Sequence, residues 1–197
     1  VIRLSGLSLA SGRSLFLSGP PGNGKTSLGR MLHRSLEGGL WIPYCIGVDN
    51  NVIRLFDPLS HHPLTQSHKE LRGVDQRWIK IQRPLIVAGG ELTIEALDVA
   101  YSPSVRYYEA PLHMKSNGGL LLIDDFGRQR VEPHELLNRW IVPLEYRIDH
   151  LTLRTGQQIK IPFRQILVVA TNIDIREVTD SAFLRRIGYQ LRLETPD

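Results

Sequence analysis

Two stretches of the chain bring together residue types suited to phosphate chemistry. The first is GPPGNGKT, Gly19 to Thr26, which satisfies G-x-x-x-x-G-K-[ST] and lies between an apolar segment and a helical pattern. Glycines let backbone N–H groups turn inward around phosphate oxygens, and the start of the following helix adds its partial positive charge. Lys25 supplies a mobile point charge for β- and γ-phosphates, and the Thr26 hydroxyl suits Mg²⁺. Gly19, Pro20, Pro21, Gly22, Asn23, Gly24, Lys25, Thr26 and Ser27 are therefore the expected cradle of a nucleotide. The second stretch is LLLIDDFGRQ, Leu120 to Gln129, an apolar run ending in Asp124 and Asp125. Acids at the end of a buried strand call for a cation. Mg²⁺ bound to the nucleotide and held by Asp124, directly or through water, answers that need. Asp125 is left either to orient and polarise the water that attacks the γ-phosphate or to serve as an acid with no chemical role.

The elements that must position these residues follow from periodicity. SLFLSG (Ser14 to Gly19) reads as a short strand, and KTSLGRMLHRSL as a helix with Leu28, Met31, Leu32 and Leu36 on one face. Glycines 38 and 39 end it, and LWIPYCIGV reads as a second buried strand, completing a βαβ unit with a parallel sheet. From Asn50 to about Arg106 the pattern loosens. NNVIRLFDP and RWIKIQRPLIVAGG suggest short strands around the polar LSHHPLTQSHKELRG, and ELTIEALDVAY places Ile94, Leu97 and Tyr101 on one helical face. This range is expected to be an insertion over or beside the sheet.

Order returns with the strand ending at Asp124. PHELLNRWIVPLEYR carries Leu136, Leu137, Trp140, Ile141 and Leu144 at helical spacing, opens on Pro133, and should kink or end at Pro143. LTLRTGQQIKIPF alternates through Leu151, Leu153, Ile159, Ile161 and Phe163 with Gly156 at the turn, a hairpin pattern. ILVVATN reads as a fourth buried strand, SAFLRRI as a short helix and YQLRLE as a final strand.

Composition narrows the class. The chain has 197 residues, 42% hydrophobic and 22% charged, as expected of one globular α/β domain. The formal net charge of +4 comes without a basic run, so nucleic acid is permitted but not indicated. The single cysteine, Cys45, excludes an internal disulfide, suits a reducing, cytoplasmic setting and is expected to be a buried core thiol. His61 and His62 read as loop residues rather than metal ligands. No apolar run approaches the roughly 20 residues needed to span a bilayer. The chain starts at Val1 and reads as a trimmed piece of a longer protein.

Taken together, the motifs resemble those of the AAA+ ATPases. GPPGNGKT is similar to their Walker A loop, LLLIDD to their Walker B strand, ILVVATN to the sensor 1 strand with Asn172 as sensor, and SAFLRRI to the segment carrying the arginine finger. The resemblance spans Gly19 to Arg186 in family order. It implies a three-layer αβα P-loop NTPase with a parallel sheet in the order 5-1-4-3-2. To that core this chain adds a β-rich insertion at about residues 50–106 and a β-hairpin before the sensor 1 strand. The whole chain, 1–197, corresponds to the large nucleotide-binding subdomain, and the helical lid would follow Asp197. The resemblance also implies ATP and Mg²⁺ as cofactors and a homo-oligomeric, usually hexameric, ring.

Asn172 would hold the attacking water or a γ-phosphate oxygen, or cap the turn into IDIREV. Arg185 is preferred as the finger acting on a neighbour's nucleotide. Arg186 would hold the interface or pair with an acid of its own subunit. The hairpin resembles the pre-sensor 1 hairpin of the branch that includes the MoxR-type chaperone-like ATPases, which favours remodelling of a protein client. IDDFG also resembles helicase-loader and transposition-helper ATPases, which act with nucleic acid; a nucleotide-binding scaffold and a P-loop kinase are more distant readings. The family's usual second Walker B acid is Glu, whereas this chain has Asp125.

Overall fold

The computed structural model describes residues 2–66, 73–174 and 181–194. Its centre is a five-stranded parallel sheet. In chain order those strands are β1 (Leu15–Ser18), β6 (Leu85–Ala88), β9 (Leu120–Ile123), β12 (Ile166–Thr171) and β13 (Tyr189–Arg192). Spatially they run β13-β1-β12-β9-β6, which is 5-1-4-3-2 when the five are counted along the chain. Strands buried on both faces must be apolar throughout. LLLI of β9 and ILVVAT of β12 are buried at every position.

The two-residue alternation of a strand divides these side chains between two cores. Leu15, Leu17, Leu120, Leu122, Val168 and Ala170 face Leu28 and Leu32 of helix α2 (Lys25–Arg34). Gly29 lets α2 approach closely, since a β-carbon there would lie 3.1 Å from Leu122. Helix α1 (Ile2–Ser11) packs beside α2 on the same side. Phe16, Leu121, Ile123, Leu167 and Val169 face the other way. They meet Leu136, Leu137 and Trp140 of helix α4 (Pro133–Tyr146), which follows the one-turn helix α3 (Leu112–Lys115), and Phe183 of helix α5 (Ser181–Arg186). Sheet and flanking helices make three layers.

The remaining strands form a separate lobe. β2 (Gly39–Pro43) pairs antiparallel with β5 (Trp78–Gln82), and β10 (Ile148–Thr152) with β11 (Gln158–Pro162). A four-stranded sheet runs β3-β4-β8-β7, built from Cys45–Val48, Asn51–Arg54, Tyr107–Glu109 and Ala100–Ser102. These pieces share a third core in which Ile42, Ile53, Ile81 and Tyr108 pack with Leu151, Leu153 and Ile161 of the hairpin. The hairpin is thus part of this lobe. Its turn is pinned further where Arg154 N–H donates to the Tyr108 hydroxyl (3.1 Å) and Gln157 Nε2 to Asp49 (2.6 Å).

Several sequence expectations are corrected here. LWIPYCIGV is not the second strand of the parallel sheet. It splits at Tyr44 into β2 and β3, whose mostly half-exposed side chains and terminal Pro43 suit short accessory strands. The parallel strand is Leu85–Ala88, which lies inside the 50–106 range, while the accessory strands begin at Gly39. ELTIEALDVAY is not a continuous helix. A 3₁₀ turn at Glu95–Leu97 ends at extended Asp98, and the chain passes into β7 (Ala100–Ser102), so Leu97 and Tyr101 serve different cores. Helix α4 continues through Pro143 to Tyr146 and stops at left-handed Arg147, whose N–H donates to the Pro143 carbonyl. Cys45 is exposed, because it opens edge strand β3 on the face turned away from the core. His61 is buried between the Asp57 N–H (3.0 Å) and the Lys115 carbonyl (2.8 Å), whereas His62 is exposed. Among the described residues no helix is long and apolar enough to cross a membrane. Residues 67–72 of the polar stretch lie outside the described part.

The lobe meets the α/β core at a buried ion cluster absent from the sequence reading. Arg139 of α4 grips Asp149 of β10 with two bonds of 2.6 and 2.7 Å, and His113 Nε2 lies 2.8 Å from the same carboxylate. Burial alone would raise the Asp149 pKa, but His113 and Arg139 outweigh it and bring the carboxyl from 3.8 down to about 2. A depressed acid contributes stability that is whole above its unfolded value and is lost as pH falls through the folded one. Acid titration should therefore weaken the fold between 3.8 and about 2 through this group. At neutral pH, Arg139→Met strands a buried carboxylate and should cost about 3–5 kcal/mol in urea unfolding. A loss below about 1 kcal/mol, the level of an exposed ion pair, would show the cluster to be energetically idle.

Candidate active site

The carboxyl ends of β1 and β9 bring the two acid- and glycine-bearing stretches together. After Ser18 the chain turns through Gly19, Gly22 and Gly24, with φ of 140°, 83° and 76°, conformations that favour glycine. Gly19 has no room for a side chain, since a β-carbon would sit 2.1 Å from the Leu193 carbonyl. The same carbonyl accepts from Asn23 Nδ2 at 3.2 Å, so the segment after β13 backs the loop. Gly24 caps α2, and Pro20, Pro21, Gly22, Gly24 and Ser27 are exposed. Lys25 Nζ donates to the carbonyls of Gly19 and Pro20, each at 2.8 Å, which keeps its charge over the loop.

Thr26 and Asp124 meet directly. The Thr26 hydroxyl lies 3.0 and 2.9 Å from the two Asp124 oxygens, and the Asp124 N–H donates to the Ala88 carbonyl at 2.8 Å. One hydroxyl and one carboxylate at a helix start match the hard-oxygen preference of Mg²⁺. Among the described residues no group of three or more His, Cys, Asp or Glu side chains could hold a metal ion. Thr26 and Asp124 would therefore hold Mg²⁺ together with phosphate oxygens.

Asp125 is exposed and left-handed at φ 48°, and its N–H donates to Asp124 Oδ1 at 3.1 Å. The turn around it is tightly held. Phe126 is fully buried, packs edge-on against Phe16 at 6.2 Å, and its N–H donates to the Ala170 carbonyl at 2.8 Å. The Thr171 hydroxyl donates to the Phe126 carbonyl at 2.6 Å. Asn172 follows directly on β12, exposed, and borders a cavity of about 470 Å³ with Ser18, Gly19, Pro20, Gln190 and Arg192. Gln129 closes the turn from outside. Its Nε2 donates to the carbonyls of Asp124 (2.9 Å) and Asp125 (3.2 Å), and its Oε1 accepts from the Gly127 N–H (2.8 Å). Sequence reasoning missed Phe126, Thr171 and Gln129. Their one signal was a polar or aromatic residue just beyond each strand end.

Arg185 and Arg186 are not part of this constellation. They end α5, ahead of β13, and border Ser14 and Gly188 at the amino ends of β1 and β13. The phosphate loop lies at the opposite end of β1. Arg186 is paired within its own chain, its Nε and Nη2 donating to Glu145 at 2.7 and 2.6 Å. The turn into IDIREV, from residue 175, lies outside the described part.

No family model matches this chain, and no curated protein matches it. Solved structures do. NtrX from Brucella abortus in complex with ADP superposes on 98% of this chain with a TM-score of 0.56 and 12% identity. Its complex with ATP gives the same values. This chain covers 34% and 36% of those two chains, about a third of their length. At this identity the likeness concerns the fold and does not single out the MoxR-type branch. The chain shares with NtrX its fold, three αβα layers around a parallel sheet in the order 5-1-4-3-2.

Proposed function

We propose that this chain is the nucleotide-binding part of a Mg²⁺-dependent AAA+ ATPase that works as a ring, hexameric by resemblance, and remodels a protein client. The observation that carries the reading is the junction of Thr26 with Asp124 at the mouth of a glycine loop. A hydroxyl and a carboxylate of the kind that suit Mg²⁺ lie there beside the loop amides and the Lys25 ammonium, which supports a site for phosphates. The ADP and ATP complexes of NtrX support a nucleotide as the ligand.

Bound Mg²⁺ would supply charge neutralisation at the β- and γ-phosphates. The chain's own groups do the rest. Loop amides and Lys25 bind and orient the triphosphate. Asp125 and Asn172, on adjoining strand ends, hold a water in line with the γ-phosphate, and Asp125 receives its proton. Arg185 lies a strand's length from its own chain's phosphates, so its charge serves a neighbour's. The protein-client reading is supported by the shared core of hairpin and accessory strands, which gives any moving part a broad surface. The exposed free thiol of Cys45 suits a reducing, cytoplasmic setting.

Mg²⁺-dependent ATPase activity per subunit should rise with protein concentration, because each site is completed by another copy. Activity per subunit that stays constant down to dilutions where sedimentation shows only monomer would overturn the in-trans arginine.

A further inference from the structure

Asp125 is held in a conformation it would not choose alone. Its backbone is left-handed at φ 48°, and Gly127, two residues on, is left-handed at φ 98°. A turn with two such residues, outside any helix or strand, needs ties of its own. Gln129 supplies them. Its Nε2 donates to the Asp124 carbonyl at 2.9 Å and to the Asp125 carbonyl at 3.2 Å. Those carbonyls belong to the two peptide planes that flank the Asp125 α-carbon, and each plane is rigid. One side-chain amide therefore fixes both planes, and with them the direction in which the Asp125 side chain leaves the backbone.

The same amide reaches further. Its Oε1 accepts from the Gly127 N–H at 2.8 Å, and its Nε2 lies 3.4 Å from the carbonyl of Gly89, the residue after β6. Only one orientation of the amide serves. Turned over, its oxygen would face three carbonyls and its NH₂ group a donor. None of these partners belongs to the phosphate loop. Gln129 is half-buried and borders an open cavity of about 410 Å³ with Ile94 and Glu132, so loss of its amide leaves no void in the core.

We propose that Gln129 is a positioning residue for Asp125, setting the aim of its carboxyl and through it the rate of hydrolysis, while taking no part in holding nucleotide. The proposal rests on the reading of Asp125 as the group that receives the water's proton.

Gln129→Met keeps the length of the side chain and removes its hydrogen bonds. Under saturating ATP and Mg²⁺ its kcat should fall about 10–100-fold, the scale on which a small misplacement of a reacting group is felt. Affinity for a fluorescent ATP analogue should stay within twofold of wild type. Gln129→Glu keeps the acceptor for Gly127 but loses the donor, and should be at least as slow. Because Gln129 acts through Asp125, adding Gln129→Met to Asp125→Asn should cost nothing further, whereas a merely structural residue would slow both backgrounds alike. A kcat for Gln129→Met within twofold of wild type, or an equal loss in the two backgrounds, overturns the proposal and leaves the ATPase reading standing.

The clamp also has a readout free of turnover. By amide hydrogen exchange, the Gly127 N–H should exchange at least tenfold faster in Gln129→Met, with the β9 amides unchanged. Unchanged exchange at Gly127 overturns the clamp. Faster exchange there, in a protein whose wild type hydrolyses no ATP, would sink the ATPase reading and strip the clamp of its role in turnover.

Discussion

Lys25→Ala abolishes nucleotide binding at the concentrations where the wild-type protein is saturated: that is the first expected result. The ammonium sits over the loop with, among the described residues, only the Gly19 and Pro20 carbonyls as partners, and a triphosphate offers it oxyanions instead. A hydrogen bond to a charged group is worth about 1.5–3 kcal/mol, and Lys25 would make one each to the β- and γ-phosphates. Losing both weakens binding by roughly 10²–10⁴-fold at 1.4 kcal/mol per decade. Lys25 opens α2 and is only partly buried, so circular dichroism should not change. Titration with a fluorescent ATP analogue reads the effect. Affinity within tenfold of wild type would mean that the loop does not hold the phosphates.

Asp125→Asn should give the opposite split, with nucleotide affinity intact and turnover reduced by about 10²–10⁴, the usual contribution of a positioned base. The backbone allows this comparison. Asp125 is left-handed, a conformation that Asp and Asn tolerate better than other side chains, and its carbonyl stays tied to Gln129. The same conformation gives a reason for Asp where the resembling ATPases have Glu. A longer acid at φ 48° strains the turn. Asp125→Glu is therefore expected to destabilise the turn, whatever reach it adds. Normal turnover in Asp125→Asn, measured by phosphate release under saturating ATP, would strip Asp125 of the role of base.

The glycine loop before α2 and the acid-ended strand were legible because their signals are local. Glycines at positive φ, a lysine at a helix start and an acid at a strand end announce themselves within ten residues. β9 and β12 were legible for a related reason, since strands buried on both faces permit no polar residue. The accessory lobe was not legible. Its strands are half-exposed and short, so LWIPYCIGV carried as much apolar character as the true parallel strand PLIVAGG. What separated them was the partner each finds, β5 against β9, far away along the chain. The Arg139–Asp149–His113 cluster was hidden in the same way, because three scattered polar residues gain meaning only when burial removes water from them.

The position of β1 has a consequence for how the protein is made. This strand, leading into the phosphate loop, is flanked by β12 on one side and β13 on the other. It leaves the ribosome well before both of its neighbours. Until then its apolar edges are open, the condition under which nascent chains aggregate or recruit chaperones. The Leu193 carbonyl that braces Gly19 and Asn23 arrives later still. A chain stalled before Tyr189 would carry every residue of its phosphate loop and still lack the backing that shapes it. The loop that follows β1 is thus braced only after β13 has been made.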